Sequence, residues 1–305
     1  MITKLGRYKN GNYTVTIFSD GTKVRLTKEN EFKPTFSENC DVKITDKCSV
    51  GCPFCYEGCT ASGSHADLLS PVVLNMIESL HPYTEFAING NDMDHPQLMR
   101  FLTLLRAKKV VTNITVNQSQ FIDNYQYIKD LQDNGLIYGI GVSYNKSDLN
   151  CIAAAKNLKN VVFHTIAGVT TPDMYVELVN SRVKILVLGY KNLQRGVAFK
   201  ESNSETIEKN IEWIKNNFDA LVEHAAVVSF DNLALDQIDV KSHLTEEEWD
   251  RFYMGDDGEF TFYIDLVKMQ FSQNSVAEER YPIENKNIDE MFNHIQSKRN
   301  GTDNE

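Results

Sequence analysis

From residue 41 onward the chain alternates between two hydrophobic patterns. Short runs rich in β-branched residues are separated by segments with apolar residues every three or four positions, so that Leu98, Phe101, Leu102 and Leu105 share one helical face. Repeated strand and helix units of this kind predict a parallel sheet covered by helices. The six predicted strands are residues 41–45, 85–89, 113–117, 137–143, 161–167 and 183–188.

Further elements flank the repeat. Alternating runs on either side of Asp20 and Gly21 predict an N-terminal hairpin, and Thr245 with Glu248 forms a capping-box pattern at the start of a late helix. We therefore predict an α/β fold built as a partial (β/α)6 TIM-like barrel with additions at both ends. Its parts are a small N-terminal β-ribbon at 1–40, the barrel at 41–217, and a C-terminal α+β extension at 218–305 that covers the barrel mouth.

Composition narrows the class of protein. The 305 residues are 42% hydrophobic, enough for a large core, and 42 acidic against 31 basic side chains give a net charge of −11. This charge disfavours binding to nucleic acid through phosphate contacts, so we do not expect a nucleic acid partner. No run approaches the ~18 apolar residues of a membrane span, and the first residues lack the apolar core of a signal peptide. We expect a cytoplasmic protein that does not bind membranes.

Cysteine spacing supplies the candidate chemistry. Four of the six cysteines (Cys48, Cys52, Cys55 and Cys59) lie within twelve residues, directly after the first predicted barrel strand. In a reducing compartment this crowding indicates a metal site more than disulfides. Loops after the C-terminal ends of barrel strands are where such folds place their chemistry. Three thiolates on one tight loop can bind three irons of a [4Fe–4S] cluster and leave the fourth iron open.

The segment Cys48 to Cys55 resembles the cluster loop of the radical S-adenosylmethionine (radical SAM) superfamily, C-x3-C-x-aromatic-C, with Phe54 at the aromatic position. The resemblance is close over this loop and looser over 41–217. It implies a [4Fe–4S] cluster on Cys48, Cys52 and Cys55, SAM as cofactor, and a flavodoxin- or ferredoxin-like one-electron reductase as partner. It also implies reductive cleavage of SAM to a 5′-deoxyadenosyl radical, which abstracts hydrogen from a small-molecule, nucleobase-derived or peptide substrate.

The same resemblance implies contacts to SAM at the ends of several strands. The family's Gly-Gly-Glu-Pro stretch corresponds to 89–92, where Asn91 stands in place of glutamate. Asn117 resembles the asparagine of strand three, and Ser143 occupies a place on strand four where a polar group commonly reaches SAM. Half of the adenine-contacting pattern is present on strand five. The implied cofactor-binding residues are Phe54, Asn89, Gly90, Asn91, Asp92, Asn117, Ser143, Ile166 and Gly168.

Four residues near strand ends are candidates for quenching a radical or transferring a proton: Cys59, Tyr144, His164 and Tyr190. Each also has a plainer interpretation, as a loop thiol or a packed core residue. Two other classes of function stay open. The chain could be a cluster-binding sensor that has lost its chemistry, which the absence of glutamate at Asn91 favours, or a binding module stabilised by zinc on the four crowded cysteines.

Overall fold

Two sheets hold the strands of the protein, in a computed structural model that describes residues 2–89 and 93–301. The first is an antiparallel ribbon of β1 (Lys4–Asn10), β2 (Tyr13–Phe18) and β3 (Lys23–Thr27). The second has ten strands: β4 (Asn39–Lys43), β5 (Glu85–Asn89), β6 (Val111–Asn117), β7 (Gly139–Ser143), β8 (Val161–Ile166), β9 (Lys184–Leu188), β10 (Val227–Phe230), β11 (Thr261–Asp265), β12 (Gln270–Ser272) and β13 (Tyr281–Pro282).

The order of the large sheet is β10-β9-β8-β7-β6-β5-β4-β11-β12-β13. Strands β4 to β10 run parallel, β11 is parallel to β4, and β12 and β13 are antiparallel additions. The α/β class, with one large parallel sheet, is thus confirmed, and the six predicted strands correspond to β4 to β9. The extension predicted at 218–305 supplies β10 at one edge and β11 to β13 at the other.

Helices cover one face of this sheet. Alternate strand residues such as Val42, Ile88 and Val142 join the apolar faces of the helices in one hydrophobic core. The opposite face, here called the polar face, carries side chains such as Asn113 and His164. The helices are α1 (Pro71–Glu78), α2 (Leu98–Ala107), α3 (Gln118–Asp123), α4 (Tyr125–Asp133), α5 (Leu149–Ala155), α6 (Pro172–Asn180), α7 (Arg195–Asn216), α8 (Phe218–His224), α9 (Asn232–Ile238), α10 (Glu246–Phe252) and α11 (Ile288–Arg299).

The N-terminal ribbon lies at the end of the sheet where the parallel strands begin. Three backbone carbonyls of its hairpin turn accept hydrogen bonds from side chains at the starts of β7, β8 and β9. Tyr138 Oη donates to the carbonyl of Phe18 at 2.9 Å, and Lys184 Nζ donates to that of Asp20 at 2.7 Å. Asn160 makes the third bond. The ribbon is therefore placed opposite the loops that follow the strands.

A buried group of charges joins the ribbon to β4 and β5. Glu38 is fully buried, and its carboxylate accepts from Arg25 Nε at 2.8 Å and from Tyr13 Oη at 2.7 Å. Lys23 Nζ lies 3.3 Å from Glu38 and 2.5 Å from Glu85. Burial alone would raise the pKa of Glu38, but the charges of Lys23 and Arg25 outweigh it and the pKa is lowered. The carboxylate thus remains ionised in the interior.

Candidate cluster and cofactor site

The cysteine loop, residues 44–70, leaves the C-terminal end of β4 and leads to α1. Backbone hydrogen bonds close its central part, because Cys48 N donates to the carbonyl of Thr60 at 2.8 Å and Thr60 N donates to that of Asp46 at 3.0 Å. Within it, Cys55 N donates to the carbonyl of Cys52. The four loop cysteines are free thiols and half-buried. The loop is therefore a shaped segment that offers four sulfur atoms to a ligand.

The sulfur atoms of the loop influence one another. Burial raises the pKa of Cys52, and the charges of Cys55 and Cys48 raise it further. A hydrogen bond from Cys59 lowers the pKa of Cys55 to about 5, and the pKa of Cys59 is raised by the same bond. The sulfur of Cys52 accepts the side-chain amides of Asn117 at 3.9 Å and Asn145 at 3.8 Å. Cys59, a sequence candidate, thus lies beside Cys55.

Loop thiols can bind the irons of a [4Fe–4S] cluster or a single zinc ion. Each cluster thiolate binds a different iron, so the sulfurs surround the cluster instead of converging on one point. In the part of the chain that the structure describes, no group of three or more His, Cys, Asp or Glu side chains converges on one metal position.

Two of the implied SAM-binding residues lie side by side at the ends of their strands. Asn117 on β6 is in register with Ser143 on β7, which is in turn in register with His164 on β8. Asn117 Oδ1 accepts from Ser119 N at 2.9 Å and so caps α3, while its amide points to the sulfur of Cys52. The structure therefore brings Asn117 to the cysteine loop. Asn117 is the helix cap, because its side chain accepts from a backbone N–H in the first turn of α3.

The other residues implied to bind the cofactor lie at separate positions in the fold. The ring of Phe54 meets the edge of Phe199 on α7 at 5.7 Å, and Asn89 ends β5 in register with Lys43. Gly168 has φ of +84°, and a Cβ there would lie 2.5 Å from Ile207 of α7. Gly168 is therefore explained by packing. Ile166 is the last residue of β8 and half-buried. Gly90, Asn91 and Asp92 lie outside the described residues.

The two candidate tyrosines, Tyr144 and Tyr190, both form hydrogen bonds within the protein. Tyr144 is buried in the hydrophobic core, where its hydroxyl donates to Glu177 at 2.8 Å and accepts from the backbone N–H of Asp148 at 2.8 Å. The hydroxyl of Tyr190 donates to the carbonyl of Gly196 at 2.6 Å, and its ring stacks on Phe199. Both hydroxyls are thus engaged by the protein itself.

The ring of His164, another of the candidate residues, can form hydrogen bonds to a ligand. Its ring lies on the polar face above Gly141, where a Cβ would come within 2.4 Å of His164 Cε1. Burial, together with the charge of Lys191, lowers the pKa of His164 to about 4, so the ring is neutral near pH 7. Among the described residues, no hydrogen-bond partner meets its ring nitrogens. A neutral imidazole in this position offers one donor and one acceptor to a ligand.

A network of charges around Lys43 was not anticipated from the sequence. Lys43 Nζ lies 2.7 Å from Glu57 of the cysteine loop and 3.7 Å from Asp265 of β11, and it also contacts Asp46. Tyr263 Oη donates to Glu57 at 3.1 Å. The network ties the cysteine loop to β11. A lysine between two apolar residues, Val42 and Ile44, was the available signal, because a buried ammonium requires carboxylate partners.

A second unanticipated residue is Lys191, which follows β9. Its ammonium donates to Ser275 Oγ at 2.9 Å and lies 4.2 Å from the ring centre of Tyr56 in the cysteine loop. It also opposes the effect of burial, which raises the pKa of Asp41 on β4. Beside Lys191, the β9 loop, α7 and α9 enclose a groove of about 460 Å³. Its lining includes Tyr190, Lys191, Lys200, Glu208, Leu233 and Gln237.

The architecture is that of an α/β protein whose large parallel sheet presents a cysteine loop at the C-terminal end of a central strand. It is similar to SuiB of Streptococcus suis, with a TM-score of 0.56 and 12% identity over 94% of this chain and 87% of SuiB bound to S-adenosylmethionine. For SuiB bound to the precursor peptide SuiA, the TM-score is 0.53 with 14% identity, over 85% of this chain and 65% of that one, slightly under two thirds of its length.

At these identities the similarity establishes a shared fold. No protein-family profile matches the sequence, and no protein of curated function matches it either. In the described part of the chain, no helix is long and apolar enough to cross a bilayer.

Proposed function

We propose that the protein is a radical SAM enzyme. The observation that carries this proposal is the group of three thiols, Cys48, Cys52 and Cys55, on a closed loop at the C-terminal end of β4. The fold shared with a protein that binds S-adenosylmethionine supports it. We also propose that the parallel strands curve into a partial barrel with the polar face inside, and that the segment 218–305 covers its mouth. The contacts of Tyr263 with Glu57 in the cysteine loop and of Ser275 with Lys191 support that cover.

The residues of the site would have different roles. Cys48, Cys52 and Cys55 would hold three irons of a [4Fe–4S] cluster, and the open iron would bind SAM. With both bound, the site would supply a 5′-deoxyadenosyl radical that removes a hydrogen atom from the substrate. Amide donors at the Cys52 sulfur, from Asn117 and Asn145, are the type of contact that tunes a cluster's reduction potential.

The proposed substrate is a peptide. A structure of SuiB bound to a precursor peptide shares this fold. The lining of the groove includes Lys191, whose ammonium also lies over the ring of Tyr56 in the cysteine loop. On the polar face, His164 and Ser143 can form hydrogen bonds to such a substrate. The apolar side chains of the other face are packed against the helices and cannot contact it. Electrons would come from a flavodoxin- or ferredoxin-like reductase.

The test is anaerobic reconstitution with iron and sulfide, followed by measurement of 5′-deoxyadenosine after addition of SAM and dithionite. The wild type is expected to be brown and to form the product, and Cys55→Ala to form none. Cys151→Ala is the matched control, because Cys151 is buried in α5 and away from the loop thiols. A brown wild-type protein that forms no product would contradict the proposed enzymatic activity and favour a cluster-binding sensor. A colourless protein that holds zinc would contradict the cluster.

A further inference from the structure

The first part of α7 is a distinct segment docked on the cysteine loop. Helical geometry is interrupted at Asn203, with φ of −134° and ψ of 18°, and Asn203 Nδ2 donates to the carbonyl of Phe199 at 2.8 Å. Residues 195–202 can therefore take an orientation that the rest of α7 does not dictate. In that orientation the ring of Phe199 meets the ring of Phe54, which lies between the second and third loop cysteines.

Arg195, the first residue of this segment, bonds the loop at two points. Its Nε donates to the carbonyl of Cys52 at 3.0 Å, and its Nη1 donates to the carbonyl of Cys59 at 2.9 Å. These carbonyls flank Cys55, so one side chain spans the part of the loop that carries three of the four sulfurs. A planar guanidinium suits this task, because its donors are held in a rigid fork.

The backbone conformation on both sides of Arg195 is unusual and fixes the direction of its side chain. Gln194 has φ of 49° and ψ of −124°, a conformation that is costly for a residue with a side chain. Gly196 lies so close to the preceding turn that a Cβ would come within 2.6 Å of the carbonyl oxygen of Lys191. A strained residue and a required glycine thus bracket Arg195. Strain of this kind persists only where the surrounding contacts compensate for it.

We propose that Arg195 is a positioning residue that holds the cysteine loop in its ligand-binding shape. It acts on the loop backbone, so that the thiols of Cys52 and Cys55 are already placed when a ligand arrives. Preorganisation lowers the conformational entropy lost on binding. The inference rests on the proposed function only for the identity of the ligand, since the bracing itself is a property of the ligand-free chain.

Amide hydrogen exchange of the metal-free full-length chain tests the bracing. In Arg195→Met, the amides of Cys48, Cys55 and Thr60 should exchange about tenfold faster, because opening of the loop no longer breaks the guanidinium bonds. Arg195→Lys keeps the charge and a flexible donor, so these amides should exchange faster than in the wild type and more slowly than in Arg195→Met. The matched control is Lys108→Met, because Lys108 also donates to a backbone carbonyl, that of Glu78, at the end of the sheet opposite to the cysteine loop. It should leave exchange at 48–60 unchanged.

Iron retention supplies a second readout. After reconstitution, Arg195→Met should release iron to a chelator about tenfold faster than the wild type, equivalent to 1.4 kcal/mol, whereas Lys108→Met should not. Unchanged exchange at 48–60 in Arg195→Met would overturn the proposal. So would equal acceleration in α11, which would show a global loss of stability. Failure to form 5′-deoxyadenosine would instead count against the proposed function, because the exchange measurement needs neither cluster nor SAM.

Discussion

Removing the charge of Glu38 tests how the ribbon is attached to the sheet. Breaking a buried ion pair from one side costs about 3–5 kcal/mol of folding free energy. In Glu38→Gln, Lys23 keeps Glu85 at 2.5 Å, and Arg25 keeps the carbonyl of Met254 at 2.9 Å. Because both cations retain a partner, we expect the lower end of that range. The predicted loss in free energy of unfolding is about 3 kcal/mol.

Urea unfolding, followed by circular dichroism and by tryptophan fluorescence, measures this loss as a shift in the transition midpoint at constant slope. The matched control is Glu29→Gln. Glu29 also pairs with a lysine, Lys33, but at 3.8 Å and with side chains 55% and 66% exposed. Such exposed pairs contribute about 0–1 kcal/mol. A loss below about 1 kcal/mol in Glu38→Gln, equal to that of the control, would refute the argument that burial makes the pair important.

The same carboxylate predicts a pH dependence. Because the pKa of Glu38 is lower in the folded chain than in the unfolded chain, its contribution is fully present above the unfolded value of about 4.3. It is lost as the pH falls through the folded value. The difference in stability between wild type and Glu38→Gln should therefore be largest near neutral pH and shrink in acid. A difference that stays constant down to pH 2 would contradict the assigned ionisation.

Three further predictions concern the sheet and its polar face. Tyr144→Phe should lower the free energy of unfolding by about 1–2 kcal/mol, because Glu177 Oε2 and the backbone N–H of Asp148 lose the hydroxyl that bonds them, yet leave 5′-deoxyadenosine formation unchanged. Gly168→Ala should lower thermal stability by about 2 kcal/mol or more, since its φ and its contact with α7 both oppose a Cβ. Wild-type stability should fall between about pH 6.5 and 4, because the folded chain keeps His95 and His164 neutral, and His164→Gln should make this fall smaller, but not abolish it, in urea titrations.

Much of the local architecture could be predicted from the sequence. The six strands β4 to β9, the ribbon hairpin and the capping box of Thr245 and Glu248 depend on neighbours within a few positions, so periodicity and cap chemistry reveal them. The spacing of the loop cysteines is equally local. The cap of α3 is harder to assign, because Asn117 and Ser119 are both suitable cap residues and only the backbone path shows that Asn117 is the cap.

Tertiary structure alone decided what surrounds the cysteines. Tyr263 lies beside Asp41, more than two hundred residues earlier, because β11 adds to the free edge of β4. That pairing brings Asp265 to Lys43, and the path after β9 brings Arg195 to the carbonyls of the loop. Hydrophobic periodicity shows which face of a strand is buried, but it does not encode the order of strands in a sheet. The sequence by itself therefore determined the elements and the thiols, and long-range packing determined the charges and the brace around them.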